Sequence, residues 1–313
     1  MEQKKQQGYI FQKTGVVVIL ALLCCALWGS AFPCIKIGYE WFKIEGAPSQ
    51  ILFAGYRFFL AGVMTFIMAC CLEKKVIIPK KSSLPFIFGQ GILQTTLQYV
   101  FFYMGLAHTT GAKGSVLNAS STFFSILIAH FCMKNEKMTW NKALGCLIGF
   151  AGVIVINLAP GAWGSGFALN GEGFILICSI AYGASSVTLK LISDKEAPTT
   201  ITAWQLLFGG GIMILIGLLF GGHVAKPSLA GLLLHCYMAF LSTVAFSIWA
   251  TLLKYNPVGR IAIFGFSIPV FGVALSALFL KESVFSWQNL GALVLVSMGI
   301  IIVNRRKQDK QTA

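Results

Sequence analysis

The sequence predicts an all-α integral membrane protein with ten transmembrane helices, arranged as two inverted five-helix repeats. Three observations support this fold class: the composition, the length of the apolar segments and the recurrence of polar landmarks. Of the 313 residues, 57% are hydrophobic and 11% are charged, and the mean hydropathy is +0.78. A soluble domain carries about a quarter charged residues. The composition therefore excludes a soluble fold and predicts a chain that lies mostly in lipid.

Ten apolar segments of about 18 to 25 residues are long enough to cross a bilayer as helices. We predict them at residues 15–37, 48–71, 84–107, 112–133, 140–157, 170–192, 199–221, 228–252, 258–280 and 286–304. We expect the first segment to remain as a helix, because it is too long for a signal peptide and lacks a small-residue cleavage site. The connecting loops are short, so no soluble domain is expected.

The basic residues are distributed unevenly between the two sides of the membrane. With the N-terminus in the cytoplasm, 18 of the 24 Lys and Arg residues fall on the cytoplasmic side, 5 fall outside, and Arg57 lies within a span. This imbalance predicts a multi-pass protein of the cell membrane with both termini in the cytoplasm. It also accounts for the net charge of +14, so we expect no nucleic-acid partner.

A repeat is visible within the chain. Residues 133–157 (MKNEKMTWNKALGCLIGFAGVIVIN) match residues 279–304 (FLKESVFSWQNLGALVLVSMGIIIVN), with Glu136 opposite Glu282. Two further matches follow in the same order: LWGSAFPCIK (27–36) with AYGASSVTLK (181–190), and GYRFFLAG (55–62) with AWQLLFGG (203–210). Five spans are an odd number, so the second repeat begins on the opposite side of the membrane. Inverted repeats of this kind are typical of secondary transporters.

The repeat sets the expected domain organisation. We predict a cytoplasmic tail at 1–14, a first repeat at 15–157, an extracytoplasmic linker at 158–169, a second repeat at 170–304 and a cytoplasmic tail at 305–313.

The ten spans, the W-G-x-x-x-x-x-x-K end of the first helix and the duplicated segment around Glu136 and Glu282 resemble the EamA-type branch of the drug/metabolite transporter superfamily. The second repeat keeps that family's usual proline at Pro269, whereas the first has Ser121-Thr122-Phe123 at the matching place. The resemblance implies a central cavity among spans 1–4 and 6–9, with spans 5 and 10 at the periphery. It also implies transport, usually export, of amino acids, other small metabolites or drugs, driven by protons or exchange.

Polar and aromatic side chains at membrane depth are the candidates for substrate contact, because such groups are costly in lipid. The candidate cavity residues are Trp28, Arg57, Gln94, Gln98, Phe102, Asn118, Ser121, Tyr182, Gln205, Ser242 and Trp249. Each has an alternative. The aromatic residues are also typical of core packing, and the Ser and Asn side chains are also typical of contacts between membrane helices.

Two groups of candidates admit sharply different roles. Arg57 either offers a counter-charge to a substrate carboxylate, or snorkels to the headgroups or pairs with helix-end carbonyls. The second role is favoured, because similar transporters carry Arg here regardless of substrate. Gln90, Gln94 and Gln98, spaced by four, share one helical face. They either line a wet cavity or bind neighbouring helices.

Several function classes lack support in the sequence. There is no nucleotide-binding or catalytic motif, and none of the nine cysteines forms a C-x-x-C pair, so we expect no enzyme activity, cofactor or metal. The acidic residues of the spans lie at their ends, which leaves His130 and His235 as the titratable groups inside spans and the coupling ion open. Alternatives to metabolite export are an antiporter of nucleotide sugars or phosphorylated metabolites, which would need several basic groups in the cavity, and a non-transporting scaffold or lipid-handling protein.

Overall fold

The structure, a computed structural model, describes residues 9–108, 111–156, 169–226, 228–280 and 287–304. Ten helices run through these residues, and this part of the chain contains no strand. In order they are α1 (Thr14–Trp41), α2 (Gly46–Glu73), α3 (Leu84–Gln90, Gly91–Leu97 and Gln98–Ala107), α4 (Gly111–Cys132), α5 (Trp140–Ile156), α6 (Leu169–Gly173 and Phe174–Ile192), α7 (Pro198–Leu219), α8 (Leu229–Tyr255), α9 (Val258–Ala262, Ile263–Phe266 and Ser267–Leu280) and α10 (Trp287–Asn304). The predicted fold class is confirmed.

The helix limits follow the apolar segments closely, with one clear extension. Helices α3 and α9 begin and end at the predicted residues, whereas α1 continues beyond the predicted residue 37 to Trp41. Tyr39 and Phe42 pack against Phe53 with ring centroids 5.9 and 5.2 Å apart, so packing carries this helix past its apolar run. By length and composition α1, α2, α6, α7 and α8 can each cross a membrane.

Local chemistry explains several helix ends. Helix α2 ends where Lys74 adopts a left-handed conformation with φ of 52°. Helix α7 starts at Pro198, whose missing N–H costs nothing in the first turn. The Ser228 hydroxyl caps α8 by accepting a hydrogen bond from the backbone N–H of Gly231 at 3.1 Å.

Helix packing follows the repeat. Helix α2 packs along α7, and α5 packs along α10. Helix α1 contacts α9 and α8, and its counterpart α6 contacts α4 and α3. Each contact of one repeat thus has an equivalent made by the other, which is the pattern that a two-fold axis between inverted repeats produces.

Two repeat-related glycines explain why an aromatic–glycine pair recurs, as Trp28–Gly29 in the first repeat and Tyr182–Gly183 in the second. A Cβ on Gly29 of α1 would lie 2.9 Å from the backbone nitrogen of Gly272 in α9, and a Cβ on Gly183 of α6 would lie 2.9 Å from that of Ser125 in α4. Both positions need a residue without a side chain because another backbone passes against them. The same small residue is therefore required at the same crossing in each repeat.

Two helices of the bundle are interrupted. Helix α9 contains a 3₁₀ turn at Ile263–Phe266, shortly before Pro269, which cannot donate a hydrogen bond to the carbonyl of Gly265. Its counterpart α4 is continuous from Gly111 to Cys132. Helix α3 contains a π-helical segment at Gly91–Leu97. Asn157, Glu282, the predicted tail at 305–313 and all but residue 169 of the predicted linker lie outside the described residues.

Candidate functional site

A cavity lies among helices of both repeats. It encloses about 730 Å³ of empty space, including the part that is open to solvent. Its lining residues are Trp28, Ala31, Phe32 and Ile35 of α1, Arg57 of α2, Gln98, Tyr99 and Phe102 of α3, Asn118 and Ser121 of α4, Tyr182 of α6, Phe246 of α8, and Gly265 and Ile268 of α9. The lining is mostly apolar and aromatic, with a few polar groups.

Seven of the eleven candidate residues line this cavity: Trp28, Arg57, Gln98, Phe102, Asn118, Ser121 and Tyr182. The other four, Gln94, Gln205, Ser242 and Trp249, are buried and are not part of its lining. Trp249 makes an edge contact with Trp28, with ring centroids 5.0 Å apart, and therefore supports the wall from behind. Ser242 contacts Arg57.

Arg57 supplies the cavity with a buried positive charge. Its side chain is only 1% exposed, so it does not extend to the protein surface. Its Nε–H donates to the Met238 carbonyl at 3.2 Å and to the Ser242 hydroxyl at 3.1 Å, and its guanidinium lies 5.0 Å from the centre of the Phe58 ring. Met238 lies inside α8 rather than at its end. The anchoring contact is thus with the middle of a neighbouring helix.

The charge of Arg57 is incompletely satisfied within the protein. Among the described residues no Asp or Glu forms an ion pair with it, and its Nε–H donates to two neutral groups, the Met238 carbonyl and the Ser242 hydroxyl. The phenol rings of Tyr39, Tyr99 and Tyr103 lie within electrostatic range. A buried charge is costly unless it is paired. The arrangement can therefore accept an anionic group from the cavity side.

Aromatic rings form much of the wall opposite this charge. Trp28 makes edge contacts with Phe246 at 5.5 Å between ring centroids, and Phe102 makes edge contacts with Phe32 and Tyr99 at 6.3 Å. Phe32 and Tyr99 were not among the candidates. A helical spacing of three and four residues from Trp28 would have found Ala31, Phe32 and Ile35, whereas no simple pattern marks Gly265.

The glutamine face of α3 divides between the two roles left open by the sequence. The Gln90 Nε2 atom donates to Gln94 Oε1 at 2.7 Å and to the Ser185 carbonyl of α6 at 3.1 Å, so these two amides bind within the helix packing. Gln98 lines the cavity, and its Oε1 atom has no hydrogen-bond partner among the described residues. Gln94 lies within the π-helical segment, and Gln98 follows directly after its end.

Gln205, the repeat counterpart of Arg57, is fully buried. Neither its Oε1 nor its Nε2 atom has a hydrogen-bond partner in the described part of the chain. It stands in α7 where Gly91 of α3 approaches closely; a Cβ on Gly91 would lie 2.8 Å from the Gln205 carbonyl oxygen. The two repeats therefore place different chemistry at one equivalent position.

The titratable groups differ in part from the expectation. His130 accepts a hydrogen bond from the Met138 backbone N–H at 2.9 Å, whereas His235 is buried beside Phe53 with both ring nitrogens lacking a partner in the described residues. Two of the acidic residues at the ends of the spans are nevertheless buried. Glu136 and Glu172 lie at helix ends, but they are only 3% and 6% exposed.

The carboxylate of Glu136 is buried because hydrogen-bond donors of the second repeat take the place of water around it. Its carboxylate accepts hydrogen bonds from the backbone N–H groups of Val258 and Gly259 at the start of α9, the second at 3.3 Å. The ammonium of Lys142 lies 3.6 Å from the same carboxylate. A carboxylate at a helix N-terminus is favourably placed for the exposed amide groups and the helix dipole. This contact joins the α4–α5 loop to the other repeat.

A family model described as the EamA-like transporter family matches the chain twice, over residues 15–158 and 169–305. The chain belongs to this family. The resemblance noted from the sequence is thereby confirmed, and this EamA-family protein is a multi-pass membrane protein.

Curated relatives of this EamA-family chain are named as transporters. It is 26% identical to the uncharacterized transporter YetK of Bacillus subtilis (strain 168), over 99% of this chain and 94% of the relative. It is 26% identical to a probable amino-acid metabolite efflux pump of Escherichia coli (strain K12), over 91% and 93% of the two chains. A solved crystal structure covers 93% of this chain and 96% of its own with a TM-score of 0.78 and 18% identity, which shows the shared fold.

Proposed function

We propose that this protein is a secondary active transporter that exports small organic metabolites bearing a carboxylate, with amino-acid metabolites as the first class to test. The observation that carries the proposal is the buried guanidinium of Arg57, which faces an aromatic cavity without an acidic partner among the described residues. A substrate carboxylate would supply the missing negative charge through charge-assisted hydrogen bonds.

The remaining cavity chemistry supports a zwitterionic or amide-bearing substrate. The Gln98 Oε1 atom is an acceptor without a partner in the described residues, and it belongs to the same cavity as Arg57. An ammonium or amide N–H of the substrate would satisfy it. The rings of Trp28 and Phe102 suit an apolar side chain. The name of the Escherichia coli relative, a probable amino-acid metabolite efflux pump, agrees with this substrate class.

The two ends of the bundle support an alternating-access mechanism. Lys190 at the end of α6 donates to the carbonyls of Lys254 and Asn256 at the end of α8, at 2.8 and 2.9 Å. Its repeat counterpart Lys36 is exposed and makes no hydrogen bond to a described residue. Exchanging the conformations of inverted repeats converts one access state into the other. The transport cycle would thus engage one lysine and release the other in turn.

Flux measurements test the proposed function. Purified protein in liposomes is expected to accelerate the uptake of a labelled amino-acid metabolite, with saturation and with counterflow when unlabelled substrate is trapped inside. A panel of carboxylates, carboxamides and phosphate monoesters of similar size distinguishes the alternatives. Preference for phosphate esters would favour the antiporter of phosphorylated metabolites. Absence of flux across the whole panel would favour a scaffold.

Orientation in the cell membrane is tested separately. The distribution of the basic residues supports a cytoplasmic location for both termini under the positive-inside rule. A reporter active only outside the cytoplasm is expected to give signal when it is fused after residue 165 and to be silent after residue 313. The opposite pattern would overturn this orientation while leaving the flux result intact.

A further inference from the structure

Lysine pairs bracket an apolar run in the segment between α2 and α3. Residues 74–81 read KKVIIPKK, and the lysines Lys74, Lys75, Lys80 and Lys81 are all exposed. Lys75 lies 3.1 Å from the carboxylate of Glu73, whereas the ammonium groups of Lys74 and Lys81 make no hydrogen bond or ion pair with a described residue. Two of the four charges are therefore fully available to a partner.

The apolar run between the lysines presents its side chains alternately inward and outward. Ile77 is 2% exposed and packs beside Ala203 of α7, whereas Val76 and Ile78 are 66% and 73% exposed. Because the segment joins the ends of two membrane helices, we expect these side chains to lie near the level where headgroups meet acyl chains.

Contacts to the second repeat hold this segment in place. The Trp204 Nε1–H donates to the Ile77 carbonyl at 3.1 Å. The Lys80 backbone N–H donates to the Glu196 carboxylate at 2.8 Å, and the Lys80 ammonium donates to the Lys195 carbonyl at 2.9 Å. The outward display of Val76 and Ile78 is therefore fixed by the fold and does not depend on a flexible loop.

The equivalent segment of the second repeat lacks these features. Residues 220–226, between α7 and α8, contain a single basic side chain other than histidine, Lys226. The lysine pairs are thus a property of one end of the bundle and do not follow from the repeat itself.

We infer that residues 74–81 form a docking surface for an anionic phospholipid of the leaflet that this segment faces. Lys74 and Lys81, at the two ends of the segment, contact headgroup phosphates, and Val76 and Ile78 insert beside the acyl chains. Basic residues next to a transmembrane helix bind anionic lipids through charge complementarity, and neighbouring aliphatic side chains add apolar contact. The bound lipid would hold the α2–α3 connection against the α6–α7 connection.

A lipid titration of the purified full chain tests this surface. Phosphatidylglycerol is added to protein in phosphatidylcholine–detergent micelles, and the rise in melting temperature gives the concentration for half-maximal protection. The variant Lys74→Gln/Lys81→Gln is expected to need about tenfold more phosphatidylglycerol, because each lysine near a lipid surface contributes several-fold in affinity. The charge-matched control is Lys134→Gln/Lys137→Gln, which alters another exposed segment and is expected to match the unmodified protein.

Further measurements test the aliphatic contact and the headgroup contact separately. Val76→Ser/Ile78→Ser is expected to weaken protection while leaving its salt dependence intact, and glycerol phosphate at equal concentration is expected to give no protection. All variants should melt close to the unmodified protein in phosphatidylcholine alone, because their side chains are exposed. Equal lipid requirements for the two lysine double variants, or protection by glycerol phosphate, would overturn the inference.

Discussion

Helices α3 and α8 occupy equivalent places in the two repeats, yet they differ in helix geometry and in the side chains that bind them. Helix α8 is a continuous α-helix whose middle accepts hydrogen bonds from Arg57 and whose end accepts them from Lys190. Helix α3 contains the π-helical segment Gly91–Leu97, and the counterparts Gln205 and Lys36 make no hydrogen bond to it through their side chains. The two halves therefore reach different conformations although they share one sequence pattern, which is what the proposed alternating-access cycle requires.

The largest expected effect is on folding. A π-helical segment accommodates one residue more than an α-helix of the same rise, so deleting Ile92 should convert the segment to α-helix and leave both flanks in place. Deleting Phe240 from the continuous helix α8 should rotate the rest of that helix by about 100° and remove Trp249 from its contacts. Fluorescence-detected size exclusion should show a monodisperse peak for the first deletion and aggregate for the second. A folded Phe240 deletion would contradict this account.

Substrate affinity should separate Arg57 from Gln205. Arg57→Gln removes the cavity charge and is expected to weaken binding of carboxylate substrates by about 10- to 100-fold, corresponding to a charged hydrogen bond of 1.5–3 kcal/mol. Arg57→Lys should restore part of the affinity, because it keeps the charge but loses the planar fork. Gln205→Ala should change affinity little. Isothermal titration against matched carboxylate and amide ligands measures this. An equal loss for both ligands would assign Arg57 to helix anchoring alone.

The two lysines should differ in their effect on local opening. Lys190→Ala removes two hydrogen bonds from the end of α8 and should speed amide exchange of residues 252–256 by roughly tenfold, since such a bond contributes about 1 kcal/mol or more. Lys36→Ala should leave exchange at the end of α3 unchanged in the same conformation. Mass spectrometry of peptides from both helix ends provides the comparison. Equal changes at the two ends would show that both lysines are engaged.

The smallest expected effects concern the glutamine face. Gln98→Ala should weaken substrate affinity several-fold with little change in melting temperature, because Gln98 lines the cavity and its Oε1 atom has no hydrogen-bond partner among the described residues. Gln94→Ala should lower stability by about 0.6 kcal/mol, and at most by about 1.7, with affinity preserved, because it removes a hydrogen bond within the bundle. Binding and thermal unfolding of the two variants in parallel decide the matter. A loss of substrate affinity in Gln94→Ala would show that the substrate-binding cavity reaches Gln94.

Much of the architecture was predictable because lipid restricts backbone geometry so strongly. Apolar length alone fixed the limits of α3 and α9, and the odd number of spans per repeat implied the inversion. The site was predictable only in part. Polar residues such as Gln98 and Asn118 stand out against lipid, whereas Phe32 and Gly265 resemble any other core residue. The spacing of four residues predicted one shared face for the three glutamines. It could not reveal the π-helical segment, because such a segment has no sequence signature that propensities detect.

The hydrogen bonding of the Glu136 carboxylate to the start of α9 has a consequence for biogenesis. Its acceptor contact with the Val258 N–H spans 122 residues of chain. At a synthesis rate of about 5–20 residues per second, the α4–α5 loop must wait roughly 6–24 seconds after leaving the ribosome before its partner exists. During that interval the carboxylate remains hydrated at the membrane surface. Insertion of the ninth helix then withdraws it from water, so maturation of the first half is timed by arrival of the second.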